Sequence, residues 1–88
     1  MITAGQLRAA RGLLGWSQAD LAENAGIGLS TVKRMEASDG PIRGIADSIW
    51  KVQRALEAAG ISFFEEQEKA VGVKLNLPVE YGSSEPDS

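Results

Sequence analysis

Lys33 and Arg34 stand side by side in the stretch Leu29 to Glu36, LSTVKRME, with Leu29 and Ser30 one turn ahead of them. Arg or Lys can donate to acceptors such as guanine O6 and N7, a serine hydroxyl can pair with several bases, and leucine can touch a thymine methyl. Two adjacent cations are more often just a solvated helix face. What decides is the framework that holds them. Elsewhere the reactive inventory is thin. The chain has neither Cys nor His, which excludes disulfides, Cys/His zinc sites and histidine acid–base chemistry. It has no glycine-rich phosphate loop and no base to activate a nucleophile. The acids from Glu65 to Glu68 fall in an expected hairpin connection and read as a solubilising turn rather than a metal site. The expectation is a protein that is not an enzyme and holds no cofactor or metal.

Around Lys33 and Arg34 the order is helix, tight turn, helix. Ser17 is a good N-cap, and Asp20 falls three residues later, within reach of free backbone donors. Leu21, Ala22 and Ala25 repeat on one helical face. Gly26 supplies the left-handed residue that ends that helix, and Ile27 follows as an apolar plug. The chain restarts at Leu29, and Val32 and Met35, three apart, point inward together. A helix, a short turn containing Gly and a second helix is the layout of a DNA-reading helix-turn-helix.

The segment SQADLAENAGIGLSTVKRMEA resembles the Cro/C1-type (Xre) helix-turn-helix family, whose pattern is Ser or Thr followed by Gln, Leu-Ala, Ala-Gly, Ser-Thr-Val and Glu. The resemblance runs from about Thr3 through Gly60 and departs at Gly28, where the family more often carries Ser or Thr. It implies a four-helix, lambda-repressor-like domain. Carried over position by position, it makes Leu29, Ser30, Lys33 and Arg34 base-facing in the major groove. Gln18, at the amino end of its helix, is implied as a phosphate contact and a brace for the recognition helix. Gly28, Thr31 and Arg43 are the other expected phosphate contacts, which fix register rather than sequence. The family also pairs a first-helix Arg with the Glu that closes the third helix; Arg11 and Glu36 occupy those places and are expected to form a structural ion pair.

The rest of the chain is read from its own pattern. Thr3 and Gln6 have capping-box spacing and open a first helix with Leu7, Ala10, Arg11 and Leu14 on one face, closed by Gly15. Trp16 reads as a core anchor between the first helices. SDGPIRG, 38–44, is a loop by composition. Ile45, Ile49, Val52 and Leu56 mark a long amphipathic helix ending at Ala59-Gly60, with Trp50 at the edge of its stripe. Two strands follow, Ile61 to Phe64 and Val71 to Leu77, around the connection EEQEKA. In the second, Val71, Val73, Leu75 and Leu77 share one face. Such a ribbon is marginal alone and must lean on the fourth helix or pair with a second copy. The fold expected is therefore mainly α: a helix-turn-helix domain over 1–60, a β-ribbon over 61–77 and a disordered tail over 78–88.

Net charge is −3, but its distribution is uneven: +1 through Gly44 and −4 from Ile45 onward. Screening over about 8–10 Å at physiological salt lets a basic head coexist with an acidic rear. No apolar run approaches the roughly 20 residues of a membrane span, and MITAGQLRAARG is not a signal peptide; a cytoplasmic protein is expected. Three functions are weighed. The first is a transcriptional regulator, a repressor, binding a short palindromic operator in double-stranded DNA as a homodimer. The second is an antiactivator that sequesters another transcriptional regulator through the same fold or the ribbon. The third is a structural adaptor.

Overall fold

The computed structural model describes residues 2–37, 40–42, 44–66 and 70–77. Four helices, α1 (Ala4–Leu14), α2 (Gln18–Ala25), α3 (Leu29–Glu36) and α4 (Ala46–Ala58), are followed by the antiparallel pair β1 (Ile61–Glu66) and β2 (Ala70–Leu75). This is the mainly helical domain with a C-terminal ribbon that the sequence implies.

Local chemistry sets the helix ends. Thr3 and Gln6 form a full capping box at the start of α1, and Ser17 and Asp20 form another at the start of α2. Both helices close in the same way. Gly15 and Gly26 take left-handed backbones, and the N–H groups of Trp16 and Ile27 reach back to the carbonyls of Arg11 and Ala22. Each turn thereby satisfies orphan carbonyls and delivers an apolar residue, Trp16 or Ile27, onto the core. Helix α3 starts without a side-chain cap, because Gly28 has none to offer.

One core unites the elements. Leu7, Leu21, Val32, Met35, Val52 and Leu56 are fully buried at its centre, and Ile61 of the ribbon is buried with them. The segment leading into α1 is tied to the stretch between α3 and α4: Thr3 bridges Pro41, the Ala4 N–H donates to the Gly40 carbonyl at 2.9 Å, and the Ile42 N–H donates to that of Ile2 at 3.2 Å. The stretch read only as a loop thus pairs with the N-terminal segment and places Ile2 and Ile42 in the core.

Three expectations need correcting. Ile45 does not join the buried stripe of the fourth helix; it is the N-cap of α4 and is 74% exposed. Glu65, Glu66 and Ala70 belong to the strands rather than to the connection, paired as Glu65 with Val71 and Glu66 with Ala70. The ribbon does not lean on α4 alone: β2 packs on α1, and β1 approaches α4. Of the four residues expected on one face of the second strand, Val73 and Leu75 pack against the core, while Val71 and Leu77 stay exposed. The expected disordered tail, 78–88, lies outside the described residues. No described helix is long and apolar enough to cross a membrane.

Candidate nucleic-acid interface

Helix α3 has two unlike sides. Val32, Met35 and Glu36 are buried, whereas Ser30, Lys33 and Arg34 are exposed and Leu29 is 39% exposed. Helical periodicity explains the division, since positions three apart share a side. The residues expected to face bases therefore do lie together on the solvent side of one helix. Lys33 and Arg34 sit in its last turn, where the helix dipole favours cations.

What holds this helix is a cluster at its C-terminal end. Arg11 Nε donates to Glu36 Oε2 at 2.7 Å and Arg11 Nη2 donates to Glu36 Oε1 at 2.8 Å, a two-pronged pairing of planar groups. The third arm, Arg11 Nη1, donates to the Trp16 carbonyl at 2.9 Å. Gln18 Nε2 donates to Glu36 Oε1 at 3.1 Å. Glu36 is thereby matched on both oxygens although its side chain is only 3% exposed. Its hydrogen bonds, then its charge, raise the pKa of the Arg11 guanidinium, outweighing the opposing effect of burial. With the Glu36 charge met inside the protein, the solvent side of α3 carries only the two cations.

Two residues, one in this cluster and one outside it, have roles that the sequence does not announce. Arg8 reads from sequence as an ordinary surface cation, yet its Nη1 donates to the Glu36 main-chain carbonyl at 2.7 Å, closing the last turn of α3. Arg8 and Arg11 are three apart and face the same helix end, a spacing that signals the pairing once Glu36 is known to lie opposite. Gln6 is the second. Its Oε1 accepts from the Thr3 N–H, and its Nε2 donates to the carbonyls of Phe64 at 3.2 Å and Gly72 at 2.9 Å. A buried amide thus clips the start of α1 to the ribbon.

The expected phosphate contacts are spread around the start of the two helices. Gln18 is half-buried and engaged with Glu36, Gly28 is exposed just before α3, and Thr31 is half-buried on its first turn. Arg43 lies outside the described residues.

Residues 7–44 match the family model described as helix-turn-helix, a shorter span than the 3–60 over which the resemblance was drawn. No curated protein matches the chain. The matched segment takes in the Ser17–Asp20 capping box, the Gly15 and Gly26 helix stops, the exposed side of α3 and every residue of the Glu36 cluster. Residues 7–44 accordingly carry a helix-turn-helix of the Cro/C1 type, a domain that indicates a DNA-binding regulator.

Proposed function

We propose that the chain is a repressor that reads a short palindromic operator as a homodimer, entering the major groove with α3. In this reading Leu29, Ser30, Lys33 and Arg34 contact base edges, and Gly28, Thr31 and Arg43 contact phosphates. Gln18 contacts phosphate where its amide is not held by Glu36, and otherwise acts as the brace. The observation that supports it best is the exposure of Lys33 and Arg34 on a short helix whose other side is anchored by Glu36 to Arg11, Arg8 and Gln18. Rigid presentation matters, because a base contact tolerates little misplacement and side chains on a locked helix lose less freedom on binding. Two half-sites about one helical turn apart would give a small domain the affinity that one reading helix lacks.

A second reading has its own support. Trp50 is 57% exposed and Phe64 is 49% exposed, large apolar surfaces of the kind that mark protein contacts. An antiactivator would use them to hold another regulator. The two readings separate in a mobility-shift assay on the DNA upstream of the chain's own gene, run over a salt series with specific and scrambled competitors. A repressor shows a log–log salt slope of several units and yields only to the specific competitor. An antiactivator shows neither.

A further inference from the structure

The chain reverses at Gly60, whose φ of 106° turns α4 back into β1. Ile61 is buried in the crook of that turn, and burial then falls along the strand: Ser62 and Phe63 are half-buried, and Phe64 to Glu66 are exposed. Strand and helix thus diverge. The wedge between them is a cavity of about 340 Å³ lined by Ile2, Gln6, Gln53, Phe63, Phe64 and Glu65, a volume within the range of small-ligand sites. The segment before α1, the first turn of α1, α4 and β1 all contribute to it, and no residue of α3 does.

The lining has one chemical character. Ile2 and Phe63 give it apolar walls that continue into the core. Gln6 is fully engaged, its Oε1 accepting from the Thr3 N–H and its Nε2 donating to two strand carbonyls. Gln53 Nε2 donates to Glu57 Oε2 at 3.2 Å, so its amide is left with an oxygen that accepts from no described residue. Glu65 adds a carboxylate, and a carboxylate has about four lone-pair sites, enough to take a ligand beside any other bond it makes. No lysine or arginine lines the cavity. The side-chain atoms open to a ligand are therefore acceptors, one group of them charged, next to an aromatic ring and a branched aliphatic chain. An anion would meet Glu65 with no cation in the lining to offset it. An ammonium would gain a charge-assisted hydrogen bond and the face of a phenyl ring.

We propose that this cavity binds a small organic cation, a primary amine carried on a compact aromatic or branched apolar body. The body would lie between Ile2 and Phe63, and the ammonium would donate to Glu65 and to Gln53 Oε1. A ligand so placed bridges α4 and β1 across the wedge, and because it binds only where both are in place it stabilises the docked ribbon. The site stands apart from the DNA reading: it takes nothing from α3, and binding is measured without DNA.

The probe is 2-phenylethylamine, which like a lysine side chain is charged at neutral pH. Its controls are 2-phenylethanol, with the same body and no charge, and phenylacetate, with the charge reversed. Each is titrated into the full chain while the main-chain amide NMR shifts of Gln53, Phe63 and Glu65 are followed. The amine should saturate these shifts and bind about tenfold or more tightly than the alcohol, the difference expected for a hydrogen bond to a charged group. Phenylacetate should not bind. Glu65→Gln, at an exposed position, should bring the amine down to the affinity of the alcohol. Gln53→Trp, which fills the wedge, should abolish binding of both, and if it fails to fold Glu65→Gln still decides. Amine shifts that stay linear to about 10 mM, past the millimolar range expected of so few contacts, overturn the proposal. So does phenylacetate binding as tightly as the amine, or a folded Glu65→Gln variant that binds the amine unchanged.

Discussion

Gln6 Nε2 lies 2.9 Å from the Gly72 carbonyl oxygen, joining the first turn of α1 to a strand residue 66 positions later. The same amide reaches Phe64, and its oxygen holds the Thr3 N–H, so one buried side chain serves both a helix cap and the ribbon. Gln6→Glu keeps the shape but brings no donor and sets a carboxylate against two carbonyls. Denaturant unfolding should show a loss of about 1–3 kcal/mol, the cost of unmatched buried polar groups. Gln6→Ala should cost a similar amount and also loosen the ribbon, read as faster amide exchange at Phe64 and Gly72. Exchange left unchanged in both variants would mean that the ribbon docks through apolar contacts alone.

Removing Arg11 should destabilise more than removing Arg8. Arg11→Ala leaves the Glu36 carboxylate in a site with 3% exposure, and breaking such a pair from one side costs about 3–5 kcal/mol. Arg8→Ala loses a single charge-assisted bond to a carbonyl, about 1–2 kcal/mol. Thermal melts at neutral pH check the order. The folded-state pKa of Arg11 is raised, so its share of stability is fully present below the unfolded value and is lost only as pH rises through the folded one, in strong alkali. Titration of Arg11 should therefore contribute no pH dependence near neutrality to the difference between wild type and Arg11→Ala.

Gly28→Ser should stabilise the domain. Gly28 has φ −75° and ψ 149°, open to any residue, and a Cβ there would meet Thr31 and Ser30 only at ordinary contact distance. The hydroxyl would supply the cap α3 lacks, worth a few tenths of a kcal/mol over Gly, or about 1–4 °C in a domain of this size. A melting temperature that falls would show strain at that turn.

At the reading face, Arg34→Ala should weaken operator binding by about 1–3 kcal/mol and relax preference at one base pair. Gln18→Ala should weaken binding to all duplexes alike and, because it takes a bond from Glu36, also lower the melting temperature. A Lys33→Ala, Arg34→Ala double variant that binds like wild type would remove these residues from the interface.

How much of this could be read in advance follows the reach of each interaction. The capping boxes at Thr3–Gln6 and Ser17–Asp20 and the Gly15 and Gly26 stops act within a few residues, and local pattern exposes them. The inward pair Val32 and Met35 is helical periodicity. Arg11–Glu36 spans 25 residues and became legible through the family resemblance, not through spacing. Gln6 to Gly72 had no such help: the capping role accounts for Gln6 completely at the local level, and nothing along the chain signals a second one. Ile45 failed for a related reason, since period alone cannot tell a buried first residue from a cap outside the helix. The ribbon was recognised by alternation, but alternation does not say which helix a face will meet, and it met α1 as well as α4.

The central claim, that the exposed side of α3 reads DNA sequence, is tested most directly by selecting bound duplexes from a random pool with wild type and with the Lys33→Ala, Arg34→Ala double variant. Wild type should enrich an inverted repeat with half-site centres about one helical turn apart, and its affinity should fall steeply with salt. The folded double variant should enrich nothing in common with it. A pool that stays random under wild-type selection, or the same motif recovered by the double variant, would contradict the claim.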